Sequence, residues 1–148
     1  MREILFRGKR KDNGEWVEGY LYIRYFQELP HDRFVIEHKP KYNHEMWQPQ
    51  YMVSEIDPET IGQYIGLTDK NGKKIFERDI VIFNRGRNLP NTIPRPLIIF
   101  FDERNAQFTI YENPFATLQK DMMPECEVIG NIHDNPELLK ELENEQSL

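Results

Sequence analysis

The stretch "YIGLTDKNGKKIFERDIVIF", residues 64–83, places apolar runs on either side of a turn signal, and this arrangement predicts β-strands. At its centre, Asn71–Gly72 predicts a hairpin turn of type I′, in which both central residues have positive φ. The run "DIVIF", residues 79–83, has the apolar density of a buried strand. The middle of the chain is therefore predicted to hold a hairpin followed by a buried strand.

Short runs rich in aromatic and β-branched residues recur along the rest of the chain, separated by turn residues such as Asn13–Gly14. In "WVEGYLYIRY", residues 16–25, alternation puts Trp16, Tyr20 and Tyr22 on one face of a strand. We therefore expect a mainly-β fold, with further strands at 3–6, 16–25, 33–38, 61–67, 97–101, 107–112 and 126–130.

The C-terminal region carries the strongest helix signal of the sequence. Asn135 is a natural N-cap and Pro136 suits the first helical position, so we predict a short helix over about 135–146. A further helical turn is predicted within 114–123. A chain of 148 residues fits one domain, and we therefore predict a single domain over 1–148, strand-rich over 1–130.

The composition narrows the class of protein. The single cysteine, Cys126, excludes an intramolecular disulfide and is expected to be a small buried residue. The N-terminal residues are charged where an export signal needs an apolar core, and the longest apolar runs are only strand-sized. We therefore expect a soluble protein of a reducing cytoplasm, with no membrane partner and no cofactor.

The net charge of −6 is unevenly distributed along the chain. The segment 134–148 has five acidic residues against one lysine, whereas 84–96 has three arginines, Arg85, Arg87 and Arg95, and no acid. An acidic chain is not expected to coat nucleic acid non-specifically. The segment 84–96 could still contact phosphate, wrap a neighbouring subunit, or be a solvated loop.

The turn before the buried strand contains two carboxylates, Glu77 and Asp79, which alternation would place on one face. Such a pair in a cleft could perform acid–base catalysis, but no nucleophile, oxyanion hole or phosphate-binding motif accompanies it. Because Asp at a strand entry commonly accepts backbone N–H groups, we favour an architectural role and assign no catalytic residue.

Four histidines could ligate a metal: His31, His38, His44 and His133. Three of them lie within residues 31–44 near carboxylates, which would suit zinc, but their spacing matches no ligand motif. We therefore predict exposed polar residues that flank an edge strand, and no metal site. The alternative is a small metal-dependent hydrolase, whose candidate residues are His38, His44, Glu77 and Asp79.

The aromatic face of residues 16–25 is a candidate binding surface. Its side chains, next to Arg24, could stack on bases or grip a peptide. They could instead form the second layer of a β core, because such residues are mostly buried. Together with the arginines of 84–96, the candidate binding residues are Trp16, Tyr20, Tyr22, Arg85, Arg87 and Arg95.

Three blocks of the sequence resemble the YopX family of bacteriophage and prophage proteins. The blocks are "ILFRGKRKDNGEWVEGYL" near the start, "DPETIGQYIGLTDKNGKKIFERDIV" in the middle and "VIGNIHDNPELL" near the end. The family pattern usually reads Glu-Gly-Asp at positions 77–79, where this chain has Arg78 in place of glycine. An L-residue such as arginine adopts positive φ only at a free-energy cost. The positions that match the family pattern are Gly66, Asp69, Gly72, Asp79, Gly130, Asn131 and Asn135 to Leu139.

The resemblance implies a mainly-β fold with an SH3-like barrel component, self-association, and no established activity or catalytic residue. We therefore expect a non-enzymatic accessory protein of a phage or prophage, located in the cytoplasm of the bacterial host. It would act through self-assembly, as a homo-oligomer, and by binding a host or phage protein or, less favoured, nucleic acid. Besides the hydrolase, an inhibitor or adaptor of a host protein is the remaining alternative.

Overall fold

The computed structural model describes residues 1–25, 33–39, 51–83, 96–110, 113–118 and 120–140. Its contacts divide the chain into two compact units, residues 1–64 and 65–148. Both units consist mainly of antiparallel strands, which confirms the predicted mainly-β class. The predicted single domain over 1–148 stays a prediction. Within the described residues, no helix is long and apolar enough to cross a membrane.

The first unit is built on five strands of a six-stranded antiparallel sheet, in the order β4-β3-β2-β1-β5. The sixth strand, β6 (Lys74–Phe76), is the neighbour of β5 in the sheet. A 3₁₀ helix, Pro58–Thr60, precedes β5, and the Asp57 side chain caps it by accepting the Glu59 N–H at 3.1 Å. The strand β5 begins in this unit and continues into the second. The strands are β1 (Phe6–Lys9), β2 (Trp16–Arg24), β3 (Arg33–His38), β4 (Met52–Glu55) and β5 (Gly62–Thr68).

The sheet of the first unit curls, because the chain after β4 lies against the end of β1. Ile56 forms a bridge with Arg10, and the Asp57 N–H donates to the Lys9 carbonyl at 2.9 Å. Ile56 is fully buried, and a Cβ on Gly8 would collide with its side chain. Glycine at position 8 therefore allows the close approach. The SH3-like barrel component itself stays a prediction.

The second unit contains a five-stranded antiparallel sheet with the order β10-β9-β8-β7-β11. A 3₁₀ helix, Lys120–Glu125, leads into β11, and the C-terminal helix α1 begins at residue 137 and is described to residue 140. The strands are β6 (Lys74–Phe76), β7 (Asp79–Phe83), β8 (Leu97–Asp102), β9 (Gln107–Ile110), β10 (Asn113–Thr117) and β11 (Cys126–Asn131).

An apolar cluster forms the core of the second unit. Burial of each large aliphatic side chain contributes roughly 1.5–3 kcal/mol, so the cluster stabilises this unit. The predicted buried strand 79–83 is confirmed as β7, and Val81 from it belongs to the cluster. The cluster consists of Ile65, Ile75, Val81, Ile99, Met123, Cys126 and Val128.

The hairpin turn at Asn71–Gly72 forms, but the predicted type I′ geometry is wrong. Gly72 has φ of 79°, whereas Asn71 is not among the described residues with positive φ. The Gly72 N–H donates to the Asp69 carbonyl at 3.0 Å, and the Asp69 N–H donates to the Lys73 carbonyl at 2.8 Å. These bonds are typical of a type I turn followed by a left-handed glycine. The Asp69 side chain determines this choice, because it accepts the Asn71 N–H at 2.8 Å.

Several predicted boundaries differ from the structure. The first strand is Phe6–Lys9 rather than 3–6. Its bounds depend on which residues pair with β2, and the apolar run 3–6 does not show this. The strands β4 and β10 were not predicted. The region 114–123 contains the end of β10 and the start of a 3₁₀ helix. Helix α1 begins two residues later than predicted, and residues 141–146 lie outside the described residues.

Candidate binding surface

The predicted aromatic face belongs to β2, which lies between β1 and β3. Trp16 is the cross-strand partner of Lys9, Tyr20 of Glu37, and Tyr22 of Val35. Residues directly opposite each other share a face and lie within contact distance. The face of β2 predicted from alternation is therefore confirmed, and the register adds the residues of β1 and β3 that surround it.

Trp16 packs against two cations of its own chain. The Arg7 guanidinium carbon lies 4.8 Å from the centroid of the Trp16 ring, and the Lys9 Nζ lies 5.4 Å from it. Both distances fall within the range of cation–π attraction. Arg7 is only 8% exposed, and Trp16 is half-buried. This end of the face therefore resembles the second layer of a β core more than an open platform for a ligand.

Tyr20 is different, because its side chain is 62% exposed. Tyr20 lies opposite Glu37 on β3, and Glu37 lies opposite Val53 on β4. The Val53 side chain is 44% exposed. Glu18, two residues before Tyr20 on the same face, is also exposed. We call this group of Glu18, Tyr20, Glu37 and Val53 the Tyr20 surface. Tyr51, one residue before β4, is likewise exposed next to it.

The Tyr20 surface is acidic. In the part of the chain that the structure describes, Glu18 and Glu37 form no ion pair. Glu55 at the end of β4 contrasts with them, since it accepts from the Lys11 Nζ at 2.8 Å and from Arg33 at 3.1 Å. The hydrogen bond from Lys11 is the main reason why the pKa of Glu55 lies below its usual value. The two carboxylates of the Tyr20 surface differ from Glu55 in this respect, although Arg7 is the cross-strand partner of Glu18.

The other predicted binding residues, Arg85, Arg87 and Arg95, lie outside the described residues. The structure does describe the strands that the segment connects. β7 ends at Phe83, β8 begins at Leu97, and the two strands pair directly, with Val81 opposite Leu97. The thirteen residues 84–96 therefore connect neighbouring antiparallel strands, for which loops of about 2–5 residues are usual.

The histidine prediction is wrong for His38. The strand β3 is not at an edge of its sheet, and His38 is buried within it. The His38 Nε2 lies 2.9 Å from the Ser54 Oγ, and its Nδ1 lies 3.1 Å from the Lys39 carbonyl oxygen. Sequence reasoning missed Ser54, because nothing in a single sequence shows that β3 and β4 pair. Both side chains are more than nine-tenths buried, and we interpret the pair as an interior hydrogen bond.

The remaining histidines do not form a metal cluster in the described residues. The predicted positions His31 and His44 lie outside them. The backbone N–H of His133 donates to the Asn131 Oδ1 at 3.0 Å, in the turn before helix α1. No group of three or more His, Cys, Asp or Glu side chains suitable for a metal ion occurs among residues 1–25, 33–39, 51–83, 96–110, 113–118 and 120–140.

The architectural role predicted for Asp79 is confirmed. Asp79 is 1% exposed, and its Oδ2 accepts the backbone N–H of Phe76 at 2.8 Å across the turn. Arg78 adopts φ of 67° in this turn, so the chain keeps a conformation that favours glycine. Its backbone is held on both sides, because the Arg78 N–H donates to Ile99 at 2.7 Å and its carbonyl accepts from Ile132 at 3.0 Å.

Asp69 organises a second turn and connects it to the core of the second unit. Its Oδ1 accepts the Asn71 and Lys73 N–H groups, and its Oδ2 accepts the Val128 N–H at 3.1 Å. Burial by itself would raise the pKa of Asp69, but these donors and the Lys73 charge outweigh it and lower the pKa. Burial, and then the charges of Asp69 and Asp79, raise the pKa of the Cys126 thiol to about 12.

These observations define a class of protein: a mainly-β protein with two compact units, buried turn carboxylates and an exposed aromatic–acidic surface. The profile of the YopX protein family matches residues 5–140. The chain therefore belongs to the YopX family. Asp69, Asp79 and Asn131, three of the positions that match the family pattern, all accept backbone N–H groups in turns.

The fold is also similar to that of a solved protein. The crystal structure of protein EF1440 from Enterococcus faecalis superposes with a TM-score of 0.61 and 22% sequence identity. The match covers 94% of this chain and 99% of that chain. At this level of identity the similarity establishes the fold alone. No curated protein sequence matches the chain.

Proposed function

We propose that this chain is a non-enzymatic accessory protein of a phage or prophage, which acts in the bacterial cytoplasm by self-assembly. The observation that carries the proposal is the Tyr20 surface of the first unit, where Tyr20 and Val53 are exposed on one sheet face. Exposed apolar and aromatic side chains that share a face, rimmed by polar residues, mark protein interaction sites. Tyrosine is also among the residues enriched at such interfaces.

We also infer that the first unit is the SH3-like barrel component that the family resemblance implies. The bridge between Arg10 and Ile56 supports this inference, because it pairs the residue that follows β1 with the residue that follows β4. The Tyr20 surface is on the sheet face opposite to Ile36 and Ile56, and Tyr20 and Val53 are exposed on it.

Native mass spectrometry of the full chain across a concentration series tests the proposal. We expect a discrete oligomer that the substitution Val53→Lys dissociates, because a lysine there replaces an exposed apolar side chain of the contact with a charge. The matched control is Ile4→Lys, which adds the same charge to the first unit at a residue that is 56% exposed and outside the Tyr20 surface. Circular dichroism of both variants verifies the fold.

Two results would contradict the proposal. The first is a wild-type chain that remains monomeric at every concentration tested. The second is an oligomer that Val53→Lys and Ile4→Lys leave equally intact, which would show that assembly does not use the Tyr20 surface.

A further inference from the structure

We propose that strand β4 of one copy pairs with strand β4 of a second copy, so that the sheet of the first unit continues across a two-fold axis. The inference rests on the proposed self-assembly and identifies the residues that meet. Strand β4 is the edge of its sheet, and among the described residues no other strand pairs with its outer side along residues 51–53.

The backbone groups of Val53 point away from the sheet. In an antiparallel ladder, hydrogen-bonded and non-hydrogen-bonded pairs of residues alternate. The Ile56 N–H donates to the Phe34 carbonyl at 2.8 Å, and the register of β3 and β4 then makes Met52 the member of a hydrogen-bonded pair. The N–H and carbonyl of Val53 therefore face outward, and the same alternation directs those of Tyr51 outward. Such an edge is a template for a further strand.

The other end of β4 is closed by the chain itself. The Glu55 carbonyl accepts the Lys11 N–H at 3.0 Å, and the Lys11 Nζ donates to the Glu55 carboxylate at 2.8 Å. The position beside Glu55 is already filled, so a second strand can pair only with the residues before it. The open edge therefore consists of residues 51–53, which restricts the register that a second copy can adopt.

The open edge is complementary to itself. With the two-fold axis at Met52, the outward backbone groups of Val53 pair with those of Tyr51 of the second copy, and the symmetry repeats this pair. An aromatic side chain then lies directly opposite a β-branched one, which is a favourable cross-strand pair. A pairing centred on Val53 would instead place Tyr51 of the second copy against Lys11. The register centred on Met52 is therefore the one that pairs the whole open edge.

The side chains of the open edge are apolar or aromatic, and all of them are exposed. Tyr51 is 54% exposed, Met52 43% and Val53 44%. Edge strands are commonly protected against pairing by charged residues or proline, and residues 51–53 contain neither. A second copy places Tyr51 against Val53 on one face of the sheet and Met52 against Met52 on the other. Because it supplies matching side chains on both faces, we infer that the occupant is a second copy.

The pairing also places the Tyr20 surfaces of the two copies side by side. Val53 belongs to this surface, and strands related by a two-fold axis perpendicular to the sheet present the same face on the same side. The contact itself is short, and small interfaces are typical of weak complexes. We therefore expect a dimer whose population depends on concentration, and covalent trapping is the appropriate test.

Disulfide trapping in the full chain tests the register. Met52 lies opposite Met52 of the second copy in a non-hydrogen-bonded pair, in which the Cα atoms are about 4.5 Å apart. A disulfide spans roughly 4.4–6.8 Å between Cα atoms, so under mild oxidation we expect Met52→Cys to form a covalent dimer on non-reducing gels. The native Cys126 does not compete, because it is buried.

The matched control for trapping is Val53→Cys, at a position that is equally exposed. In the proposed register the two cysteines of this variant would be diagonal neighbours, with Cα atoms about 7–8 Å apart. That separation is too long for a disulfide without movement of the backbone. We therefore expect little or no covalent dimer from Val53→Cys under the same conditions.

Proline at position 53 tests the backbone hydrogen bonds. Because β3 does not use the Val53 N–H, Val53→Pro removes a donor from the contact between copies and none from the ladder within the chain. The control Val53→Ala also shortens the side chain but keeps the N–H. Each dimer loses two hydrogen bonds, each worth about fivefold in the equilibrium constant, so Val53→Pro should associate about 25-fold more weakly than Val53→Ala. Sedimentation velocity measures the association, and circular dichroism verifies the fold of every variant.

The outcomes separate this inference from the proposed self-assembly. A covalent dimer from Met52→Cys, with little from Val53→Cys, supports both. An oligomer that Val53→Lys dissociates but Met52→Cys does not trap would retain self-assembly and overturn the pairing of β4. Equal trapping of the two cysteine variants would also overturn the pairing, because random collisions do not discriminate between them, and so would equal association of Val53→Pro and Val53→Ala. A monomeric chain that binds an unrelated extended peptide, and loses it on Val53→Pro, would overturn the second copy as the occupant.

Discussion

Replacement of Arg78 by glycine should stabilise the protein, although it removes a large side chain. Arg78 has φ of 67°, in the left-handed region that L-residues with a Cβ avoid. Its backbone cannot relax, because the Arg78 N–H and carbonyl bond to Ile99 and Ile132 on either side of the turn. Asp79 also holds the turn, through the Phe76 N–H. The conformation is therefore imposed by the surrounding strands, and glycine would adopt it without strain.

The magnitude follows from two opposing effects. The left-handed conformation costs an L-residue about 1–2 kcal/mol. Glycine in turn makes the unfolded chain more flexible, which offsets about 0.4–1 kcal/mol of the gain. We expect Arg78→Gly to raise the free energy of unfolding by about 0.5–1 kcal/mol, and the melting temperature by about 1–4 °C for a chain of this size.

Equilibrium urea denaturation, monitored by circular dichroism, measures the change, and Arg78→Ala is the control. Alanine removes the arginine side chain and its contacts but keeps the Cβ, so the difference between the two variants isolates the effect of φ. At a position with negative φ, glycine would be less stable than alanine by about 0.5–1 kcal/mol. A glycine variant that is less stable than the alanine variant would refute the reasoning, because the sign of the difference reports the backbone conformation.

Three further predictions concern the buried residues. The pKa of Asp69 is lower in the folded chain than its ordinary value of 3.8. The ionised side chain therefore stabilises the fold above that pH, and this stabilisation is lost as the pH falls through the folded pKa. In urea titrations, the free energy of unfolding of the wild type should exceed that of Asp69→Asn at neutral pH, and the difference should decrease in acid. With a thiol pKa of about 12, native Cys126 should not react with a thiol reagent at mildly alkaline pH and should react on unfolding in urea. Gly8→Ala should destabilise the chain by about 1–3 kcal/mol, because the new Cβ collides with the Ile56 side chain. The loss should be smaller in a chain that also carries Ile56→Ala, which removes most of that side chain. Equal losses with and without Ile56→Ala would contradict this contact.

Much of the local structure could be predicted, and the physical reason is the same in each case. The face of β2 follows from the alternation of side chains in an extended chain, which holds whatever the neighbouring strands are. Asp79 as a turn acceptor, and Gly72 with positive φ, follow from the chemistry of a few adjacent residues. The predicted turn type at Asn71–Gly72 was wrong, because the Asp69 side chain accepts the Asn71 N–H and stabilises a turn other than type I′.

The amino-acid sequence by itself determined the mainly-β class, most strand positions, the aromatic face of β2 and the separation of charge between 84–96 and the rest of the chain. All of these depend on residues that are neighbours along the chain. Only the tertiary structure decided which aromatic side chain is open, because Trp16 is covered by Arg7 and Lys9 whereas Tyr20 is not. It likewise decided that His38 is buried against Ser54, and that Asp69 bonds Val128, 59 positions away. These contacts depend on which strands pair and in which register, and that choice is made by the whole fold.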